Sequence, residues 1–175
     1  MRSFVRVAAV FSLLYLLVLS LSASSLNWIP ADERQSIDLS KPLLRTLEGE
    51  ELTLEEMDAE VLLINFWATW CSPCRKEMPD LEKLQKMVAE DGIRVVALSD
   101  DDPEDVRAYL EKHSYDFPFL IDKNSDLYLS MEFPGGVLPV SMVVDKQGRV
   151  ALVHIGVYKW DAPEVVASLR ELARQ

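Results

Sequence analysis

The chain predicts an α/β domain, one central mixed sheet with helices on its faces. Three observations carry this. Strand-length apolar runs alternate with segments of helical periodicity in the order β-α-β-α-β, followed after an irregular piece by β-β-α. The run Val61 to Ala68 is apolar at every position but Asn65, the pattern of a central strand buried on both faces. Behind it Met78, Leu81, Leu84 and Val88 recur at helical spacing, while Lys76, Glu82, Lys83 and Lys86 fill the opposite face. The 175 residues suffice for one such domain with a sizeable core and some sequence outside it.

Residues 1–25 read as an export segment, because Arg2 and Arg6 precede the apolar run Val7 to Leu21 and no acid occurs there. That run is long for the core of a signal peptide and short of the roughly 20 residues that span a bilayer, so a cleaved signal and a retained anchor are both open. Ser22-Ala23-Ser24 is a weak cleavage site, and no cysteine stands nearby to carry a lipid. Residues 26–41 mix Ser, Asn, Pro and charges without a period and read as a linker, which leaves 42–175 for the domain.

The domain opens with two short strand-capable pieces, Pro42 to Leu47 and Glu51 to Leu54, with Glu48-Gly49-Glu50 as the turn. After the central strand and its helix, Gly92 is the stop signal and Ile93 to Leu98 the second strand. The next helix, 103–113, starts with Asp102 as N-cap, Pro103 in the first position and acids in the first turn. Acids from Asp100 to Asp105 thus serve a helix N-terminus rather than a metal. Phe117 to Ile121 follows as a short strand, and Leu127, Tyr128 and Met131 suggest a short helix before Phe133-Pro134-Gly135-Gly136. Val140 to Val144 and Val150 to Ile155 flank Asp145-Lys146-Gln147-Gly148 as a hairpin. Asp161 with Glu164 three positions on forms a capping box for a last helix that buries Val165, Leu169 and Leu172.

Apolar residues make up 49% and charged residues 27% of the chain, which is globular usage and not that of a disordered or fibrous protein. The net charge of -11 argues against nucleic acid as a partner, because phosphate contacts need clustered Lys and Arg.

Chemistry centres on Trp70-Cys71-Ser72-Pro73-Cys74, which holds both cysteines of the chain. A strand ending at Ala68 and a helix starting after Cys71 put the first thiol at a helix N-terminus, where free N–H groups and the macrodipole stabilise a thiolate. Cys71 is then the nucleophile and Cys74, one turn further in, resolves the mixed disulfide. In an exported chain such a pair drifts to the disulfide, so a reducing role requires a reductive partner. A purely structural bridge across so small a loop adds little stability, and zinc would need ligands beyond His113 and His154. Peroxide reduction is disfavoured, since Ala68 and Cys71 occupy the positions three before each thiol where a hydroxyl is wanted. Copper(I) held by the two thiolates, with Met78 as a soft neighbour, stays open as the alternative, a metallochaperone module.

The stretch Asn65-Phe66-Trp67-Ala68-Thr69-Trp70-Cys71-Ser72-Pro73-Cys74-Arg75-Lys76-Glu77-Met78-Pro79 closely resembles the active-site segment of the TlpA/ResA-like branch of the thioredoxin superfamily. The resemblance covers most of residues 40–175, including the N-terminal hairpin, an inserted αβ element and the Leu138-Pro139 step. It implies a thioredoxin-like fold and a membrane-anchored thiol-disulfide oxidoreductase that works with the Cys71–Cys74 disulfide and no added cofactor. Pro139 resembles the superfamily's cis-proline facing the cysteine pair, with the Leu138 backbone pairing an incoming substrate strand. Pro79 resembles the proline that bends the first helix. Glu77 matches an acid that relatives hold near the redox pair, and a solvated helix glutamate is its alternative. Trp67 fits packing and Trp70 the wall of a substrate groove. Thioredoxin proper has a buried aspartate where this chain has Asn65, which cannot titrate, so the acid/base burden moves to Glu77. Implied substrates are protein disulfides, either apocytochrome c haem-site cysteines or copper-site thiols of an oxidase. The implied electron donor is a membrane thiol-transfer reductase, and the implied site of action is outside the cytoplasm.

Overall fold

A computed structural model describes residues 26–41, 43–133 and 135–175. The expected export segment, Pro42 and Pro134 lie outside the described residues. Seven strands form one sheet: β1 (Leu44–Arg45), β2 (Glu51–Leu52), β3 (Val61–Phe66), β4 (Ile93–Ser99), β5 (Phe119–Ile121), β6 (Val140–Asp145) and β7 (Val150–Ile155). Their spatial order is β2-β1-β5-β4-β3-β6-β7. β3 pairs in parallel with β4 and antiparallel with β6, while β4 continues in parallel to β5. The α-helices among the described residues are α1 (Ser72–Val88), α2 (Pro103–Leu110), α3 (Asp126–Ser130) and α4 (Pro163–Leu172).

All six residues of β3 are buried, and their alternation sorts them between two cores. Val61 and Leu63 face the layer made by Met78, Leu81, Leu84 and Val88 of α1 and by Val165 and Leu169 of α4. Leu62, Ile64 and Phe66 face the other layer, with Leu98, Leu127, Tyr128 and Met142. Each fully buried aliphatic side chain of this kind contributes about 1.5–3 kcal/mol of transfer free energy, so α1 is held by packing in spite of Pro79 in its interior. Asn65 belongs by parity to the α1 layer, which is what brings it to the active site.

Several expectations need correction. Residues 26–41 are not a free linker. Ile29 N–H donates to the Ala151 carbonyl, Val150 N–H to Gln35, and Ile37 N–H to Gly148, while Leu26 and Trp28 pack on the α1 core and Ile29, Ile37 and Leu39 on the other. Arg34 supplies the polar part of this docking, 3.6 Å from the buried Asp145 carboxylate, which Arg149 also meets at 2.7 Å. Polar residues interleave these apolar anchors, which explains the reading as linker. The capping box at Asp161 does not form. α4 begins at Pro163 with Ala162 as N-cap, and Asp161 instead pairs with Lys159 at 2.7 Å and Lys83 at 3.6 Å. Asp102 is the N-cap of α2 by position only, its carboxylate being taken by Lys123 at 3.0 Å. The first hairpin, the second helix and the third parallel strand are each shorter than their sequence patterns suggest, because regular hydrogen bonding stops before the apolar pattern does.

The turn between β6 and β7 requires glycine. Gly148 sits at φ +74°, and a Cβ there would run into the Ile37 carbonyl oxygen of the docked segment. Gly148→Ala is therefore expected to lower stability by about 2 kcal/mol or more, read as a reduced urea midpoint, and to expose residues 26–39 to proteolysis.

Candidate active site

β3 delivers the chain to the site and the following loop is pinned at both ends. Trp67 N–H donates to the Leu98 carbonyl at 3.1 Å, and Thr69 N–H donates to Asp101 Oδ2 at 2.6 Å. Arg75, on the first turn of α1, reaches back to the Thr69 carbonyl. Cys71 is the N-cap of α1, with Ser72 and Pro73 opening the helix and no acid in its first turn to oppose the positive end of the dipole. Cys71 and Cys74 are joined as a disulfide. Cys71 Sγ accepts the Cys74 N–H at 3.2 Å, which is the hydrogen bond that a thiolate at this position would strengthen. Cys71 retains 4% exposure and Cys74 none, so an incoming group meets Cys71 first.

The antiparallel register of β3 with β6 sets Phe66 opposite Val140, which puts Pro139 at the strand end from which the cysteine loop departs. The Leu138–Pro139 peptide is cis. Trp70, 67% exposed, and Leu138 line one groove with Phe66, Tyr128, Asp100 and Leu129. Trp67 is buried and packs edge-on against Phe119 at 5.3 Å. Met78 lies fully buried in the α1 core. Among the described residues no three His, Cys, Asp or Glu side chains cluster as a metal site.

Glu77 is fully buried, so it is no solvated helix residue. Its Oε1 accepts Asn65 Nδ2–H at 2.7 Å and its Oε2 accepts the Tyr158 N–H at 3.0 Å. Burial drives its pKa up to about 7 from 4.5, against the opposing pull of the Tyr158 and Asn65 donors. One turn along α1 from Cys74, this carboxyl changes charge in the range where a thiol exchange has to move a proton. His154, on β7, is pushed below its ordinary value by burial and packs its ring on Tyr158 with 5.0 Å between centroids.

Two members of the Glu77 network escaped the sequence. Ser141 Oγ lies 2.9 Å from Asn65 Nδ2, across the β3–β6 ladder. Its signal was available: a single polar residue among the apolar ones of Val140 to Val144, as Asn65 is inside Val61 to Phe66. The backbone N–H of Tyr158 left no signal, since any residue but proline supplies that donor.

A family model described as the AhpC/TSA family matches residues 34–153. The thioredoxin-like protein YneN of Bacillus subtilis (strain 168) is 38% identical over 117 residues, 65% of this chain and 66% of that protein. The thiol-disulfide oxidoreductase ResA of Bacillus cereus (strain ZK / E33L) is 33% identical over 127 residues, 71% of this chain and 72% of that protein. The match therefore spans about two thirds of these relatives' length. Among solved structures, a secreted thiol-disulfide isomerase of Corynebacterium glutamicum superposes with a TM-score of 0.71 at 23% identity, covering 89% of this chain and 95% of the other. Its likeness gives the fold, which is thioredoxin-like. With a disulfide-bonded C-x-x-C at a helix N-terminus and a matching family model over most of the domain, the chain belongs to the AhpC/TSA family and is similar to the thiol-disulfide oxidoreductases named ResA.

Proposed function

We propose that this protein reduces a specific protein disulfide outside the cytoplasm, using Cys71 and Cys74 without an added cofactor. The observation that carries the reading is the pairing of Cys71 at a helix N-terminus, the less deeply buried of the two cysteines, with a buried Glu77 whose pKa burial raises to about 7. In the reduced protein the Cys71 thiolate attacks one sulfur of the substrate disulfide, and the other substrate sulfur leaves as a thiolate. Glu77, as carboxylate, takes the proton of Cys74, whose sulfur then attacks Cys71. The second substrate thiolate departs, the Cys71–Cys74 disulfide forms, and two electrons have passed to the substrate, whose thiolates take up two protons. A membrane thiol-transfer reductase returns the pair to the dithiol.

The substrate segment lies along the groove of Trp70 and Leu138, its main chain pairing with the backbone beside cis-Pro139. Export is supported by the basic flank and apolar run of residues 1–25. The fold is shared with a secreted isomerase, which accords with that location. No helix among the described residues is long and apolar enough to cross a membrane. The substrates we assign are the disulfides of apocytochrome c haem sites or of oxidase copper sites, an assignment that rests on the resemblance of the active-site segment to the TlpA/ResA-like branch.

Cys71→Ala is expected to reduce exchange with a model protein disulfide to background, and Cys74→Ala to accumulate a mixed disulfide resolvable by mass spectrometry. Trapping by the Cys71 variant instead would invert the two roles. Equilibration with glutathione sets the direction, and a potential above about -200 mV would make the protein an oxidant.

Glu77→Gln is expected to remove the rise in exchange rate as pH passes about 7 and to slow exchange at pH 8 by about tenfold or more. The same variant tests linkage. Glu77 binds its proton more tightly in the folded than in the unfolded chain, so its stabilisation is full below about 4.5 and is lost as pH rises through about 7. Urea unfolding of the unmodified protein should lose up to about 3 kcal/mol across that window, and the Gln variant should lose less.

A further inference from the structure

We propose that Ser141 is a positioning residue that holds the Asn65 amide, and through it the Glu77 carboxyl, in the geometry of the exchange centre. This rests on the reading of Glu77 above and concerns what fixes that group in place.

Asn65 has two amide hydrogens and both are committed, one to Glu77 Oε1 at 2.7 Å and one to Ser141 Oγ at 2.9 Å. All three side chains are wholly buried. They come from three elements, α1, β3 and β6, and the strand pair is in register, with Asn65 directly opposite Ser141. Their approach is therefore imposed by the ladder and not by a chance rotamer. A primary amide is planar, so an acceptor on one N–H fixes the direction of the other. Among the described residues Asn65 Oδ1 has no hydrogen-bond partner, so it does not fix this orientation. With an apolar side chain at 141 the second N–H loses its acceptor in a buried site, and the amide is free to turn about its Cβ–Cγ bond. The donor to Glu77 is then held less well, which disfavours the carboxylate.

Other groups also face Glu77, among them the Trp160 indole, which favours the carboxylate. Asp80, on the same helix, is paired with Lys159 at 2.8 Å and Lys83 at 3.2 Å. The loop after β7 brings Tyr158, whose N–H binds Oε2, and β7 brings His154, packed on Tyr158 and Trp160. The Asn65 amide donates to Glu77 and to Ser141, so a change at residue 141 reaches Glu77 through Asn65. Cys74, one turn back, does not titrate while it is in the disulfide.

The test is a carbon-13 NMR titration of the Glu77 carboxyl in the full-length oxidised protein, with Ser141→Ala, Ser141→Thr and Ser141→Val beside the unmodified chain. Thr and Val have the same shape and both suit a strand, and only Thr keeps a hydroxyl. The expected result is a Glu77 midpoint raised by about one pH unit in the Ala and Val variants and restored by Thr, with the inflection of the exchange-rate profile moving in step. Coincident midpoints in the Val and Thr variants would overturn the proposal, and that comparison decides the matter even where the Ala variant fails to fold. The titration is independent of activity. An exchange profile unmoved by Glu77→Gln would remove the catalytic reading of Glu77, whereas an unmoved NMR midpoint removes the role of Ser141.

Discussion

β3 is hydrogen-bonded along both edges and packed on both faces, and the remaining elements take their places from it. Its parallel partner β4 aligns Leu98 with Phe66, and its antiparallel partner β6 aligns Val140 with the same residue. That one row fixes the cysteine loop, the acidic start of the β4–α2 connection and the cis-proline at a common end of the sheet. The chemistry sits at the carboxyl ends of the parallel strands because both reactive segments begin where β3 stops being paired.

Placing polar groups in that layer has a cost that the fold meets unevenly. Glu77 finds donors from a strand and a loop, and Asn65 spends both hydrogens. Yet Asn65 Oδ1 and Trp67 Nε1 are buried without partners among the described residues, at about 1–3 kcal/mol each. An apolar replacement of the Asn65, Glu77 and Ser141 cluster would remove the orphaned Asn65 oxygen. A group that ionises near neutral pH is useful where a buried thiol must release a proton, which is the role proposed here for Glu77.

The sheet and the redox pair were legible because both rest on local pattern. An uninterrupted apolar run, a helical stripe and two cysteines three positions apart each determine their own geometry. Glu77 was legible only by resemblance, since a glutamate between Lys76 and Asp80 reads as surface until α1 is docked with that face inward. Asn65 was read as inert because it cannot titrate, and its donor role appeared only with the register that sets Ser141 opposite. The docked segment 26–41 failed for the converse reason. Its anchors Ile29, Ile37 and Leu39 follow no single period, because the segment follows the contour of the hairpin instead of forming an element with its own repeat.

That segment has a further consequence at the margin of the sheet. An open terminal strand offers unpaired main-chain groups to any neighbouring molecule and invites edge-to-edge association. Along β7 the Val150 N–H and the Ala151 carbonyl are taken by Gln35 and Ile29, and Ser36 forms a bridge with Arg149. The opposite margin is β2, only two residues long. If extended segments of other chains pair beside Pro139, as proposed, closing the outer margins confines strand addition to the place where the disulfide lies.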